Sequence, residues 1–350
     1  MKIALITGSC GLVGAEAVEF FIRKKFKVLG IDNNFRKYFF GSDGSTLWMK
    51  NFLKKKYKKK YIHFNTDIRK FKDIEKIFTK YKKKIKVIIH SAAQPSHDWA
   101  ALNPEIDFEI NALGTLNILK LTKKYLPKNT PFIFMSTNKV YGDNPNKLKV
   151  NENKFRFDLK KTHNYYKGIN ENMSIDKCVH SFFGVSKLSA DIMVQEHGVN
   201  FGMNTVCFRA GCITGSKHSG ARLHGFLSYL VKKSISEKKY TVIGYKGKQV
   251  RDNIHSKDLV RCFWEYYKNP KKGKVYNIGG GRKCSCSVIE AINIIEKKLK
   301  IKIKLNFLKK ARTGDHLWWI SDNSRFIKDY PNFKIKYNIE KVIEELITNI

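Results

Sequence analysis

The chain has 350 residues and a formal net charge of +38, because 68 Lys and Arg stand against only 30 Asp and Glu. A hydrophobic share of 42%, with 24 Phe and 16 Tyr, excludes a disordered polycation and predicts one large or two ordinary domains with a sizeable core. No apolar run approaches the roughly 18 residues that a membrane span needs, so no membrane partner is expected. Residues 1–8 run directly into a strand-like segment, so we expect no signal peptide and a cytoplasmic protein.

The first part of the chain alternates strand-like and helix-like segments. Short apolar runs of the buried parallel type predict strands at residues 2–7, 27–32, 61–67, 86–90 and 131–136. Helical periodicity separates most of them, at residues 12–25, 73–82 and 112–124, and residues 33–60 are expected to form a surface excursion with a short helix. Repeated βα units of this kind predict an α/β fold with a Rossmann-type doubly wound parallel sheet.

Beyond residue 144 the periodicity weakens. Residues 147–181 predict a long irregular loop, which is followed by a strong helix at 184–201 and a strand at 205–209. The remainder mixes short strands, loops and helices. We therefore expect residues 1–180 to form a first domain, to which that helix and strand return. Residues 210–350 are expected to form mainly a smaller C-terminal domain over the carboxyl edge of the sheet.

The large positive charge does not by itself indicate a nucleic-acid partner. Of the 68 basic residues 57 are Lys, whereas recognition of phosphates and bases favours the Arg fork. The lysines are scattered in short runs, such as residues 54–60 and 82–84, without a basic tail or an aromatic-interleaved motif. We therefore expect a solvated basic surface and no specific nucleic-acid partner.

The seven cysteines predict neither disulfides nor a metal site. Their number is odd, and they are spread through apolar segments. Cys284 and Cys286 have the wrong spacing for a zinc-binding pair, and no second pair complements them. We expect reduced thiols and no metal.

A glycine motif connects the first predicted strand to the first helix. The residues expected to contact a cofactor there are Gly8, Cys10, Gly11, Leu12, Val13 and Gly14. The glycines let backbone N–H groups approach a pyrophosphate at the positive end of the helix. Asp32, followed by Asn33, ends the second strand 18 residues past Gly14, where a carboxylate accepts a hydrogen bond from a ribose 2′-hydroxyl and repels a 2′-phosphate. The motif therefore predicts binding of NAD rather than NADP.

The glycine spacing, GxxGxxG after Thr7, resembles that of the extended short-chain dehydrogenase/reductase family, the NAD-dependent nucleotide-sugar epimerases and dehydratases. Segments that match the family in order along nearly the whole chain are 67–68, 90–94, 111–117, 136–142, 251–255 and 276–280. The further cofactor contacts that the resemblance implies are Asp67, Ile68, Ala92, Ala93, Gln94, Asn111, Ser136 and Lys187. It also implies that the first domain binds NAD and that the second binds mainly the nucleotide sugar.

Two segments bear on the reaction that this resemblance implies. Thr137 falls where the family keeps a Ser or Thr that bonds the reacting sugar oxygen. Sugar 4,6-dehydratases continue with an acidic pair, which Asn138 and Lys139 cannot replace, so dehydration is disfavoured.

Lys187 matches the catalytic YxxxK lysine that bonds the nicotinamide ribose, whereas Phe183 stands where the Tyr belongs. Because Phe has no ionisable group, either another group supplies the base or the protein binds cofactor and sugar without turnover.

The candidates to replace the missing tyrosine share a polar or ionisable side chain near these motifs. They are Tyr165, Tyr166, His180, His97 and Lys139. The tyrosines lie in the predicted irregular loop, and His180 could simply cap the following helix. The sequence leaves the choice open, because geometry decides it.

Within the family, segments 183–191, 195–198, 208–215 and 244–253 resemble a subgroup whose members are assigned as 2-epimerases of a CDP-linked sugar. That subgroup also carries the Phe and the Ser-Thr-Asn-Lys sequence. The resemblance implies an isomerase in which NAD takes hydride from sugar C2 and returns it to the other face of a transient 2-keto sugar. A 4-epimerase, another family enzyme such as a reductase, and a non-catalytic binding protein remain alternatives. A homodimer through helices 112–124 and 187–201 is also implied.

The resemblance further implies which residues hold the nucleotide-sugar substrate. They are Thr137, Asn138, Arg209, Arg251 and Arg312. Arg251 and Arg312 match basic residues that face the diphosphate in the family, and bidentate Arg–phosphate bonding accounts for the use of Arg. A structural ion pair is the alternative for each arginine.

Overall fold

The computed structural model describes residues 1–218, 225–311 and 314–349. The strands are β1 (Ile3–Thr7), β2 (Lys27–Ile31), β3 (Tyr61–Phe64), β4 (Ile85–His90), β5 (Phe132–Thr137), β6 (Asn151–Glu152), β7 (Phe157–Asp158), β8 (Thr205–Ala210), β9 (Cys212–Thr214), β10 (Lys239–Ile243), β11 (Val250–His255), β12 (Lys274–Ile278), β13 (Ser285–Ser287), β14 (Lys304–Leu308) and β15 (Trp318–Trp319). The helices are α1 (Leu12–Arg23), α2 (Arg36–Phe40), α3 (Leu47–Tyr57), α4 (Phe71–Tyr81), α5 (His97–Leu102), α6 (Pro104–Phe108), α7 (Gly114–Tyr125), α8 (Phe182–Phe201), α9 (Phe226–Glu237), α10 (Ser256–Lys268), α11 (Val288–Leu299), α12 (Ser324–Asp329) and α13 (Ile339–Thr348).

Seven of these strands form one parallel sheet in the order β3–β2–β1–β4–β5–β8–β12. The predicted doubly wound sheet is confirmed. Its strand order reverses between β1 and β4, and doubly wound sheets bind their ligands outside the carboxyl ends of the strands at such a point. The edge strand β12 comes from the second half of the chain, so this half also contributes to the main sheet.

Both faces of the main sheet are buried by helices. Along β1, Ala4 and Ile6 pack into an apolar cluster with α1 and α10, whereas Ile3 and Leu5 pack into another cluster with α4, α7 and α8. Successive side chains of a strand point to opposite faces, so burial of both faces requires the continuous apolar run that the sequence shows.

A smaller group of elements from the second half lies over the carboxyl edge of the sheet. Helices α9, α11 and α13 share a third apolar cluster, to which Leu230, Ile292 and Ile343 contribute. Strand β11 pairs with β13, β15 and β9 in a separate small sheet. The side chains of β15, Trp318 and Trp319, are fully buried in a fourth apolar cluster.

Two predicted elements differ from those observed. The helix expected at 112–124 is the last part of a longer helical segment, in which α6 continues through the π-helical turn Glu109–Leu113 into α7. Its start is set by Pro104, whose fixed φ suits the first position of a helix, rather than by the apolar periodicity further along. The excursion at 33–60 contains two helices, α2 and α3, instead of one. Among the described helices, none combines the length and the apolar character needed to cross a membrane.

Candidate active site

A cavity of about 480 Å³ opens at the carboxyl edge of the main sheet, beside the turns after β1, β2, β4 and β5. Elements of the second half, including α9, β10 and β11, complete its wall. The sequence-predicted site residues that line it are Gly8, Cys10, Gly11, Leu12, Val13, Gly14, Asp32, Asn33, Asp67, Ile68, Ala92, Ala93, Ser136, Thr137, Asn138, Lys187 and Arg251. Gln94, Asn111 and Arg209 are not among its lining residues, and Arg312 lies outside the described residues.

The turn after β1 requires glycine at two positions. Gly8 has a φ of +65°, and a Cβ on it would lie 2.8 Å from the backbone nitrogen of Ala92 in the turn after β4. A Cβ on Gly14 would lie 2.0 Å from the carbonyl oxygen of Gly8. The N-cap residue of α1, Gly11, makes no side-chain hydrogen bond to the first turn. The positive end of α1 therefore faces the cavity without a side-chain cap, and this fits the pyrophosphate of NAD.

The carboxylate of Asp32 is held at the end of β2 by backbone donors. Its Oδ2 accepts from the N–H of Cys10 at 3.0 Å, and its Oδ1 accepts from the N–H of Asn34 at 2.8 Å. Burial raises the pKa of Asp32, although these two hydrogen bonds oppose the rise. Burial and the nearby Asp32 carboxylate raise the pKa of the Cys10 thiol to about 12, so the thiol stays protonated. The site thus offers one fixed carboxylate, which fits a ribose hydroxyl.

Asp67 and Asn33 form the neighbouring part of the wall. Asn33 Nδ2 donates to Asp67 Oδ2 at 3.2 Å, and Arg69 donates to the same oxygen through Nη2 at 2.9 Å. Burial acts against the charged form of Asp67, but the hydrogen bonds from Arg69 hold the pKa of this carboxyl below its usual value. Asp67 is therefore a fixed anionic side chain beside the apolar Ile68.

Gln94 and Asn111 support the cavity wall from behind instead of lining it. Asn111 Oδ1 accepts from the N–H of Gln94 at 3.0 Å, and its Nδ2 donates to the carbonyl oxygen of Gln94 and to Ser186 Oγ, each at 3.0 Å. Gln94 Nε2 donates to Asp107 Oδ1 at 2.7 Å. Both amide side chains are thus turned away from the cavity. They fix the turn after β4 against α6 and α8, so direct cofactor contact does not follow from their position.

The polar groups at the end of β5 meet the first turns of α8. Ser136 Oγ donates to the carboxylate of Asp191, and Lys187 Nζ donates to the carbonyl oxygen of Met135 at 2.7 Å. Burial lowers the pKa of Lys187 to about 8, and the negative charge of Asp191 opposes this effect. Thr137 Oγ1 accepts from the N–H of Lys139 at 3.3 Å. A hydroxyl and an ammonium group therefore face one part of the cavity.

Phe183 lies in the cavity wall and is 7% exposed, so an aromatic ring without a hydroxyl borders the site. The ring of His97 packs edge-on against it, with 4.9 Å between the ring centroids. Two of the five candidates for the missing base, His97 and Lys139, line the cavity. The other three, Tyr165, Tyr166 and His180, do not, and His180 Nε2 bonds to the carbonyl oxygen of Val140 at 2.9 Å.

Arg209 is committed to a buried ion pair. Its Nη2 donates to Asp191 Oδ1 at 2.7 Å, its Nε donates to Asp191 Oδ2 at 3.1 Å, and its Nη1 donates to Tyr141 Oη at 3.0 Å. The guanidinium is thus directed into the interior behind β5 and not into the cavity. The structure therefore favours the alternative of a structural ion pair over a substrate contact.

Two cationic side chains reach the cavity from opposite halves of the chain. Arg251 on β11 donates through Nη1 to the carbonyl oxygen of Val250 at 2.7 Å and through Nη2 to Asp315. Lys139 lies just after β5, and its Nζ donates to the carbonyl oxygen of Gly314 at 2.8 Å. Burial lowers the pKa of Lys139 to about 8; the charge of Asp315 opposes this shift, and the charge of Arg251 adds to it.

Several lining residues were not indicated by the sequence. Arg36 opens α2, Tyr240 lies on β10, and Lys217 follows β9. Lys217 Nζ lies 2.7 Å from carboxylate oxygens of both Glu16 and Glu19 on α1, so these ion pairs hold its segment against α1. No local sequence pattern distinguishes Lys217 from the other lysines among the 57 in the chain, so its position could be found only from the folded structure.

The fold and the cavity together define a Rossmann-type dinucleotide-binding protein whose second half covers the site. The model of the NAD dependent epimerase/dehydratase family matches residues 4–279. The chain belongs to this family, and NAD as the predicted cofactor is confirmed.

Individual proteins of known class resemble the chain along its whole length. The CDP-paratose 2-epimerase of Salmonella typhi is 30% identical over 98% of both chains. A UDP-glucuronate 4-epimerase of Thermodesulfobacterium geofontis is 25% identical over 100% of this chain and 98% of its own. The crystal structure of UDP-glucuronic acid 4-epimerase from Bacillus cereus, in complex with UDP-glucuronic acid and NAD, has a TM-score of 0.77 at 22% identity and covers 99% of this chain and 98% of its own. This last likeness supports the fold.

Proposed function

We propose that this chain is an NAD-dependent nucleotide-sugar epimerase that inverts C2 of a CDP-linked sugar, with CDP-paratose as the substrate. The observation that carries the proposal is the composition of one cavity, in which Thr137 and Lys187 lie near the glycine turn while Asn138 and Lys139 follow Thr137. Elimination of water needs both an acid and a base; the acidic pair of the dehydratases is missing at these two positions, and Asn138 has no ionisable group to replace one of its members. The similarity to the Salmonella typhi enzyme over nearly the whole chain supports the choice of nucleotide and sugar.

The residues of the chain would divide the work as follows. NAD, when bound, supplies a hydride acceptor that is regenerated in every turnover. The positive end of α1 binds its pyrophosphate, Asp32 binds a ribose hydroxyl, and Lys187 orients the nicotinamide ribose and adds positive potential. Thr137 donates a hydrogen bond to the reacting sugar oxygen, and Arg251 binds the diphosphate while the sugar presents either face.

The two halves of the chain would hold different ligands. We assign NAD to residues 1–180 together with α8 and β8, and most of the nucleotide sugar to residues 210–350. Because the second half covers the carboxyl edge of the sheet, it also shields the keto sugar from water. The seven cysteines are unpaired in the structure, and this supports a reducing, cytoplasmic location.

A homodimer would form through α7 and α8. On α8, the apolar side chains of Phe182, Val185, Ile192 and Val199 are between 41% and 69% exposed. An apolar helix face of this kind supports pairing with the same face of a second copy.

The test is incubation of the purified protein and NAD with CDP-paratose, followed by proton NMR at sugar C2. We expect an equilibrium with CDP-tyvelose, its C2 epimer, and loss of this conversion in Thr137→Val, which removes a hydroxyl and keeps the side-chain shape. A dehydrated product, or inversion at another carbon of a different nucleotide sugar, would overturn the assignment. If no nucleotide sugar reduces the bound NAD, the protein is a non-catalytic binding protein, the alternative that Phe183 favours.

A further inference from the structure

We propose that Lys139 is the acid–base group of this epimerase: it accepts the proton of the sugar C2 hydroxyl and returns it after inversion. The inference rests on the proposed function and supplies the group that Phe183 cannot provide. In the first half-reaction, the neutral Lys139 amine takes the hydroxyl proton while the C2–H bond breaks and its electron pair leaves as hydride to NAD, forming the C2 carbonyl. In the second, the Lys139 ammonium returns the proton to the carbonyl oxygen as hydride comes back to the other face.

The backbone of Lys139 lies beside Thr137 and beside the start of α8. Its N–H donates to Thr137 Oγ1 at 3.3 Å, so the turn that carries the amine also fixes the hydroxyl that would bond the reacting oxygen. Its carbonyl oxygen lies against the start of α8, where a Cβ on Gly184 would approach it to 3.1 Å. Gly184 follows Phe183 directly. The backbone of Lys139 is therefore fixed between the hydroxyl of Thr137 and the first turn of α8.

The surroundings of the Lys139 amine suit a group that exchanges protons. Its Nζ donates to the carbonyl oxygen of Gly314 at 2.8 Å, and this bond fixes one N–H while a neutral amine keeps a lone pair. The titratable and charged groups around it are Arg251 on β11, Cys212 on β9, Asp315 and His316 before β15, and His97 on α5 across Gly314. Burial lowers the pKa of Lys139 to about 8, and a general base works best when its pKa is near the working pH. Perturbed groups of this kind concentrate at functional sites.

The other ionisable candidate in the cavity wall, His97, has a structural task. Its Nδ1 lies 2.7 Å from Ser181 Oγ, and the same Oγ accepts the N–H of Gly184 at 3.1 Å as the N-cap of α8. Its ring packs against Phe183. These contacts position the start of α8 and hold the His97 ring against Phe183.

The two tyrosine candidates do not line the cavity, and Lys187, which was not among the candidates, is held by another bond. The ring of Tyr166 lies under Arg282, with 3.9 Å from the guanidinium carbon to the ring centroid, and Tyr165 packs beside the fourth apolar cluster. Lys187 Nζ is bonded to the carbonyl oxygen of Met135 and serves the cofactor as a cation, so it is needed in its charged form.

The experiment compares Lys139→Arg and Lys139→Met with Lys149→Met, which makes the same change at an exposed lysine ten residues further along. Arg cannot deprotonate near neutral pH but keeps the charge. We expect Lys139→Arg to bind NAD and CDP-paratose within about threefold of the wild type and to lose about 10²-fold or more in kcat, the usual contribution of general acid–base catalysis. In the wild type, turnover should fall below about pH 8, because the Lys139 amine becomes protonated. The residual activity of Lys139→Arg should not show this fall. Lys149→Met should match the wild type.

A second readout does not depend on turnover. After reductive ¹³C-methylation of the protein without NAD, the signal that is missing in Lys139→Arg should titrate with a midpoint near pH 8. A midpoint above pH 10, near the usual value for lysine, would overturn the proposal, as would a kcat for Lys139→Met within about threefold of the wild type.

The outcomes separate this inference from the proposed function. If CDP-paratose is not converted but another nucleotide sugar reduces bound NAD in the wild type and not in Lys139→Met, the role of Lys139 stands and the substrate is wrong. If CDP-paratose is converted and loss of His97, not of Lys139, removes the pH dependence, the function stands and the inference fails. If no nucleotide sugar reduces bound NAD, both fail.

Discussion

Replacing Arg209 with Met tests whether this arginine stabilises the fold or binds the substrate. The substitution removes three hydrogen bonds, two to the carboxylate of Asp191 and one to Tyr141, from a site where Asp191 is fully buried. Loss of one partner from a buried ion pair costs about 3–5 kcal/mol, because the other charge is left without compensation. Asp191 still accepts from Ser136 and from Gln195 Nε2. We therefore expect the lower end of that range, about 3 kcal/mol.

The assay is urea unfolding followed by tryptophan fluorescence, together with NAD and nucleotide-sugar binding measured below the unfolding transition. Asp191→Asn and the double variant complete a cycle whose coupling energy reports the pair directly. Because the Arg209 guanidinium does not line the cavity, both ligands should bind within about threefold of the wild type. A free energy of unfolding that changes by less than about 0.5 kcal/mol, combined with weaker binding of the nucleotide sugar, would show that Arg209 contacts the substrate instead.

Three further predictions concern the cofactor turn, the buried lysine and the subunit contact. Gly14→Ala should lower the free energy of unfolding by about 1–3 kcal/mol and weaken NAD binding, because its Cβ would lie 2.0 Å from the Gly8 carbonyl oxygen. A Cβ on Gly11 would lie 3.4 Å from the same oxygen, which is an ordinary contact, so Gly11→Ala should melt like the wild type without NAD. Equal melting temperatures of Gly14→Ala and Gly11→Ala would contradict this prediction. Turnover should fall as pH rises above about 8, because Lys187 loses its positive charge there; a profile that stays flat to pH 10 would count against this role. Val185→Lys, at an exposed position of α8, should convert a dimer into a monomer in light scattering, and a monomeric wild type would rule the dimer out.

The central sheet and the cofactor turn could be predicted because their signals are local. A strand buried on both faces needs an unbroken apolar run, as at residues 3–7. A helix needs a glycine where a Cβ would lie only 2.0 Å from another backbone atom, as at Gly14. Such requirements are visible in a few consecutive residues. They predict the order of the elements and most of the residues that line the cavity.

The direction of individual polar side chains could not be predicted in the same way. The position of Asn111 in a motif does not reveal that its amide bonds Gln94 and Ser186, which lie 17 and 75 residues away along the chain. Arg209 lies near the carboxyl end of β8, at the edge that carries the site, yet it is paired with the buried Asp191 on α8. Lys217 reaches the cavity only because the fold brings its segment against α1. Each of these side chains is placed by a contact that is remote in sequence.

We propose that hydride leaves C2 of the sugar and returns to it within this cavity. The most direct measurement is the conversion of CDP-paratose in ²H₂O, with the hydrogen at C2 followed by NMR. We predict that the C2 epimer forms with protium retained at C2, because the hydrogen travels as hydride and not as an exchangeable proton. Deuterium at C2 of the product, or no inversion in the presence of NAD, would contradict the account.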